Sequence, residues 1–132
     1  MKIFVVDDDP FALRLLQRQL ETLGHADVAT FEAAKQPLAL LGDDVRAADV
    51  ILLDLAMPDM DGMEVIQQLA KLQFPGTLIF ISGLDERILQ MAPMLATGLH
   101  LRVAGALKKP STPEKLRTLL DAVAPSPGHP SD

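Results

Sequence analysis

The sequence predicts an α/β protein in which a doubly wound, five-stranded parallel sheet carries helices on both faces. Three short runs are continuously apolar, Ile3–Val6, Val50–Leu53 and Leu78–Ile81, as expected for strands buried on both faces. Stretches with the apolar periodicity of helices separate these runs. Strands and helices that alternate on this scale predict a parallel sheet with right-handed crossovers.

The first half of the chain predicts two helices and an edge strand. Asp9 stands as N-cap before Pro10 at the first helical position, and Gly24 ends that helix. Asp27–Thr30 is the expected edge strand, and Phe31–Leu41 is the expected second helix. The apolar stripe of the first helix consists of Leu13, Leu16, Leu20 and Leu23.

The second half predicts three further helices and the fifth strand. Asp61 opens the third helix, with Glu64 at the spacing of a capping box. Leu84–Thr97 has helical composition, and Pro93 must kink this helix or end it early. Val103–Leu107 is the fifth strand. The third helix is expected to bury Val65, Ile66, Leu69 and Leu72. The last helix begins near Ser111, Thr112 and Pro113. It is expected to bury Leu116, Leu119, Leu120 and Val123.

The composition of the chain argues against several classes of protein. The 132 residues suit one domain, and a net charge of −6 without a Lys/Arg-rich run argues against direct binding to nucleic acid or an anionic membrane. The absence of cysteine excludes disulfides and thiolate metal sites. No apolar run reaches the roughly 18 residues that cross a bilayer. We therefore expect a soluble, cytoplasmic protein, with Pro125–Asp132 as a linker or disordered tail.

Polar residues end four of the predicted strands: Asp7 with Asp8, Asp54, Ser82 and Lys109. Ligands of such sheets bind beyond the carboxyl ends of the strands. Clustered carboxylates repel one another unless a cation intervenes, and hard oxygen ligands favour magnesium. The lysine and serine can bind phosphoryl oxygens. Singly, each residue reads as a turn or loop residue, but together they predict a site for phosphoryl transfer.

The motifs at these strand ends resemble the four signature blocks of response-regulator receiver domains. The resemblance covers residues 1–124 and implies a flavodoxin-like fold with strand order 2-1-3-4-5. The blocks are Val5-Val6-Asp7-Asp8-Asp9-Pro10, Leu53-Asp54-Leu55-Ala56-Met57-Pro58-Asp59-Met60-Asp61-Gly62, Ile81-Ser82-Gly83 and Lys109-Pro110.

The resemblance implies a role for each residue that matches the family's pattern. Asp54 would take a phosphoryl group from the phosphohistidine of a sensor histidine kinase or a phosphotransfer protein. Asp8 would bind Mg²⁺ directly and Asp7 mainly through water, with the backbone carbonyl of Ala56 as a further ligand. The domain would then be no enzyme but a signalling switch that assists its own phosphorylation and dephosphorylation.

The other two blocks would bind the phosphoryl group. Ser82 would donate a hydrogen bond to one of its oxygens. Neighbouring strand residues face opposite ways, so only one of Lys108 and Lys109 can point inward, and the family's Lys-Pro pattern selects Lys109. In the family, a cis bond precedes the residue that matches Pro110.

Two departures from the family pattern concern the output. Ala106 stands where the family carries an aromatic switch residue, and the stretch from Ser82 to Lys109 is lengthened, with Pro93 inside it. The signal is therefore expected to leave through Leu84–Arg102. The lengthened stretch is similar to that of receivers joined to EAL-type cyclic-di-GMP phosphodiesterases, which implies such an output domain in cis. A homodimer is also compatible with the resemblance.

Two other classes of function remain open from the residues. A small magnesium phosphatase of related topology also uses an aspartyl nucleophile, but it carries a second acid where this chain has Ala56. A binding module could keep the fold and never be phosphorylated. His25, His100 and His129 are scattered, so they predict neither a ligand nor a base.

Overall fold

The computed structural model describes residues 1–32, 48–57, 60–83 and 86–123. Within them, five strands form the main sheet: β1 (Ile3–Asp7), β2 (Val28–Glu32), β3 (Val50–Asp54), β6 (Thr77–Ser82) and β7 (Arg102–Lys108). Two short strands, β4 (Ala56–Met57) and β5 (Met60–Asp61), pair antiparallel. The helices are α1 (Pro10–Thr22), α2 (Gly62–Lys71), α3 (Glu86–Gly98) and α4 (Pro113–Asp121).

The main sheet is parallel throughout, in the order β2-β1-β3-β6-β7. Counted along the chain, its five strands have the predicted order 2-1-3-4-5, and the predicted fold class is confirmed. The order reverses between β1 and β3, which pair from Ile3 with Val50 to Val6 with Leu53. The crevice of such a sheet opens beyond the carboxyl ends of the strands at this reversal.

Alternate residues of the strands enter two separate hydrophobic cores, as the period of two requires. One core packs β1, β3, β6 and β7 against α1 and α4, and the other packs the sheet against α2 and α3. The first contains Ile3, Val5, Val50, Leu52, Ile79, Ile81 and Leu107, and the second contains Phe4, Val6, Ile51, Leu53, Leu78 and Phe80. Both faces of the central strands are thus buried, which explains their continuous apolar sequence.

Side chains cap two helices at the positions where the sequence predicts that these helices begin. At α1 the N-cap Asp9 accepts a hydrogen bond from the backbone N–H of Phe11 at 3.0 Å, and Pro10 occupies the first turn. At α4 the hydroxyl of Thr112 accepts from the backbone N–H of Lys115 at 3.2 Å. Gly24 follows α1 with a φ of 94°, a left-handed value that glycine adopts without steric cost.

The structure corrects one prediction about the helices and narrows another. Phe31 does not begin the second helix: it lies in β2, where its ring packs 5.2 Å from that of Phe4. The rest of that predicted helix lies outside the described residues. Pro93 lies inside α3, which continues to Gly98, so of the two predicted effects of Pro93 the early end does not occur. Leu84 and Pro125–Asp132 also lie outside the described residues.

Strand β7 contains a bulge that changes its alternation. Val103 pairs with Leu78, but the next residue of β6, Ile79, pairs with Gly105, so Ala104 is the extra residue. A Cβ on Gly105 would lie 2.6 Å from Leu119 of α4, so the bulge also lets α4 approach the strand closely. Beyond the bulge, alternate residues exchange faces relative to a regular strand.

Candidate functional site

Three carboxylates cluster at the crevice. Asp7 and Asp54 end β1 and β3 in the rows that face α1 and α4, and both are almost fully buried, at 1% and 2% exposed. Asp8 follows Asp7 and is half-buried. One ligand atom of each carboxylate lies within 4.8 Å of those of the other two. The convergence of strand ends thus brings together the three acids that the sequence singled out.

Lys109 reaches these carboxylates from the end of β7. Its Nζ lies 3.2 Å from Oδ2 of Asp7 and 3.2 Å from Oδ2 of Asp54. Its backbone N–H donates to the carbonyl of Ser82 at 2.9 Å. Lys108 points elsewhere and forms an exposed ion pair with Glu86 of α3 at 2.8 Å. Of the two lysines, it is Lys109 that enters the site.

The cluster carries more negative than positive charge. Among the described residues, three carboxylates face one ammonium group, which leaves two negative charges when all are ionised. Burial raises the pKa of Asp8, and the hydrogen bond and charge of Asp7 raise it further. Burial by itself lowers the pKa of Lys109, but Asp54 and Asp7 outweigh it, so this pKa is raised. The site therefore favours a further cation.

The donor set suits a magnesium ion. It offers oxygen ligands from Asp7, Asp8 and Asp54, and its excess of two negative charges matches a divalent cation. Hard cations of this size take one or two carboxylates and keep several waters. Zinc or copper would favour imidazole or thiolate ligands, and this cluster consists of carboxylates. The residues present thus fit the predicted metal.

The other predicted site residues take varied positions. Ser82 is buried at the end of β6, in the row that faces α2 and α3. Ala56 lies in β4, two residues after Asp54. Ala106 is exposed, so the position of the family's aromatic switch presents only a methyl group to solvent. The Lys109–Pro110 peptide is cis, as the motif predicts.

Sequence reasoning missed two features beside the site. Gln19 of α1 makes two hydrogen bonds to Ser111, 92 positions along the chain, and a polar residue beside an apolar stripe gives no signal of such a contact. A cavity of about 320 Å³ also lies between α1 and the loop after β7. Its lining is mostly apolar and includes Phe11, Leu15, Ile81 and Pro110, together with Lys109.

Comparison with known proteins identifies the family. The family model described as the response regulator receiver domain matches residues 3–121, almost the whole described chain. The chain belongs to the response-regulator receiver family. Receivers are signalling domains of two-component response regulators, and the acidic cluster and Lys109 of this receiver stand at the strand ends where its motifs place them.

Curated relatives and solved structures agree with this assignment. The receiver is 31% identical to the positive alginate biosynthesis regulatory protein of Pseudomonas aeruginosa, over 97% of this chain and 54% of the relative. It is 33% identical to the alkaline phosphatase synthesis transcriptional regulatory protein PhoP of Bacillus subtilis, over 92% of this chain and 48% of the relative. A response regulator from Colwellia psychrerythraea superposes with a TM-score of 0.76 at 39% identity, over 91% of this chain and 94% of that one.

The curated relatives are longer than this chain. It spans about half the length of the two bacterial relatives, and less of the plant response regulators. Among the described residues, none of the helices has the length and apolar character that crossing a membrane requires.

Proposed function

We propose that this receiver accepts a phosphoryl group on Asp54 from the phosphohistidine of a sensor histidine kinase or phosphotransfer protein, with Mg²⁺ as cofactor. One observation carries the proposal: the buried carboxylates of Asp54 and Asp7 share the ammonium group of Lys109, which lies 3.2 Å from each. This arrangement supplies a nucleophile and a cation at the same point. Both are parts that phosphoryl transfer needs.

The transfer is a substitution at phosphorus. A carboxylate oxygen of Asp54 attacks, the O–P bond forms as the P–N bond of phosphohistidine breaks, and the ring nitrogen keeps the electron pair. Asp8 and Asp54 would hold magnesium directly, Asp7 mainly through water, and Ala56 by its carbonyl. The bound ion would neutralise charge on the phosphoryl oxygens. Attack by water on the acyl phosphate would reverse the modification, so the domain assists both steps without being an enzyme.

Two residues would hold the new phosphoryl group. Lys109 needs only to exchange its contact with Asp54 for a phosphoryl oxygen, because it already lies 3.2 Å from that carboxylate. Ser82 would turn towards the group and donate a hydrogen bond to it. Since Lys109 and Ser82 are joined through the backbone at 2.9 Å, movement of one strand end is transmitted to the other.

The conformational change on phosphorylation would be expressed at α3 and transmitted to a domain that follows in the chain. Ala106 is exposed and too small to act as the family's aromatic switch residue does. The conformational change on phosphorylation would therefore emerge through Gly83–Arg102. We place the receiver at residues 1–124 and a linker or disordered tail at 125–132. The output would be a domain in cis, of the EAL phosphodiesterase type, with a homodimer as a further means of regulation. The acidic charge argues against direct contact with nucleic acid or an anionic membrane. We place the domain in the cytoplasm.

Labelling with a small phosphodonor tests the proposal. Acetyl phosphate and magnesium should add the mass of one phosphoryl group to the intact protein, and chelation of magnesium should prevent it. Asp54→Asn should remain unlabelled, because an amide is a poor nucleophile. Labelling of Asp54→Asn at the original rate would contradict the acceptor. Absence of label in the original protein would favour the binding module that is never phosphorylated, and turnover of a generic phosphomonoester would favour the phosphatase.

A further inference from the structure

Gln19 lies in α1, outside the acidic cluster, and forms hydrogen bonds with the loop that follows Lys109. Its Nε2 donates to the carbonyl of Ser111 at 2.9 Å, and its Oε1 accepts from the hydroxyl of Ser111 at 2.7 Å. Ser111 is buried and lies two residues after Lys109. One amide thus satisfies both the main chain and the side chain of a single loop residue, 92 positions away.

The loop between Lys109 and Ser111 has open space on its α1 side. The backbone N–H of Lys109 donates to the carbonyl of Ser82, next to the last paired residues of β6 and β7. Pro110, which has no N–H to donate, is exposed. The cavity of about 320 Å³ separates this stretch from the outer turns of α1, at Phe11 and Leu15. Gln19 joins the helix to Ser111, one of the residues that line this cavity.

The position of Lys109 is therefore fixed from two sides. The carbonyl of Ser82 holds its backbone against β6, and Gln19 holds the chain two residues later. The ammonium group must lie between Asp7 and Asp54 at 3.2 Å from each, at the end of a flexible four-carbon stem. Movement of the loop into the cavity would draw that stem away from Asp54.

We propose that Gln19 is a positioning residue for phosphotransfer: it holds the Lys109 loop so that the ammonium group stays at Asp54. This inference rests on the proposed function of Asp54 as acceptor. Gln19 touches none of the reacting groups, and it acts through Ser111 and Lys109. Its loss should slow transfer to Asp54 and leave the carboxylates of Asp7, Asp8 and Asp54 in place, because they lie at the ends of β1 and β3.

The test compares Gln19→Ala with Gln17→Ala by acetyl phosphate labelling at saturating magnesium. Gln17 is a matched control, since it lies on the same helix and carries the same side chain. Labelling of Gln19→Ala should slow by roughly tenfold, within the ~100-fold that a misplacement of about 1 Å can cost. Gln17→Ala should label at the original rate. The dissociation constant for magnesium should be the same in all three proteins.

Variants of Ser111 separate positioning from a general loss of stability. Ser111→Ala removes one hydrogen bond and keeps the carbonyl, so it should slow labelling less than Gln19→Ala. Ser111→Thr restores a hydroxyl and should recover the rate. All rates are measured well below the melting temperature of each variant. A merely structural role of Gln19 would lower the melting temperature without changing the labelling rate of the folded protein.

Two results would overturn the inference and leave the function of Asp54 intact: Gln19→Ala labelling at the original rate, or Gln17→Ala slowed equally. If the original protein takes no label, the proposed function fails, and a crystal structure of Gln19→Ala decides the inference separately. A distance from Lys109 Nζ to Asp54 beyond about 4 Å, the limit of an ion pair, would support positioning by Gln19. A distance unchanged from 3.2 Å would contradict it.

Discussion

Replacing Lys109 with methionine removes an ammonium group that faces the carboxylates of Asp7 and Asp54. Each N–O distance is 3.2 Å, and at an effective dielectric constant of ~20 each contact contributes about 5 kcal/mol before desolvation. Breaking a fully buried pair costs about 3–5 kcal/mol net. Because Lys109 is 31% exposed, we expect a loss of about 2 kcal/mol in the free energy of unfolding, between the buried and surface cases.

Urea denaturation without magnesium measures this loss, from the shift in midpoint at constant slope. Lys108→Met is the matched control, since its ion pair with Glu86 is exposed, and it should change stability by no more than about 0.5 kcal/mol. In an Asp54→Asn background the cost of Lys109→Met should fall by at least ~0.5 kcal/mol, since contacting residues couple. Equal losses for the two lysines, or no coupling to Asp54, would refute the reasoning.

Three further predictions follow from the cluster and its output. Magnesium at ~100 times its dissociation constant should stabilise the protein by about 2.7 kcal/mol, and a thermal melt of Asp8→Ala should show no such response; an equal response in that variant would contradict the site. The raised pKa of Asp8 means that the metal-free fold loses stability as pH rises through it. Protons compete with magnesium for the carboxylate of Asp8. The gain in melting temperature from magnesium should therefore be smaller at about pH 5 than at about pH 7. A gain independent of pH would contradict this competition. Beryllofluoride should change amide exchange most between Gly83 and Arg102, and changes confined to α1 or the tail would exclude that route.

Much of this fold and site follows from the sequence because parallel strands converge at one edge. Short apolar runs locate the strands, and the residue that ends each run is then carried to the crevice whatever the helices do. Asp7 and Asp54 are placed by this rule, whereas Lys109 is chosen over Lys108 by the Lys-Pro motif. Pro10 and Thr112 likewise fix helix starts by local chemistry, which depends on neighbours in the chain alone.

Other features depend on contacts between distant residues and could not be read locally. Phe31 follows the predicted edge strand and begins a helical pattern, yet pairing with β1 and packing on Phe4 keep it in a strand. The bulge at Ala104 is set by pairing with β6 and by Leu119, so strand alternation alone could not choose between the two lysines. The hydrogen bonds of Gln19 likewise exist only in the folded chain.

Reduction of the phosphorylated protein tests the central claim most directly. Borohydride cleaves an aspartyl phosphate and leaves homoserine, so the modified position can be read from peptide masses. After acetyl phosphate and magnesium, we predict homoserine at residue 54, in the amount of phosphoryl group incorporated, and none at Asp7 or Asp8. Homoserine at either of those residues, or label that yields no homoserine at residue 54, would contradict Asp54 as the acceptor of this receiver.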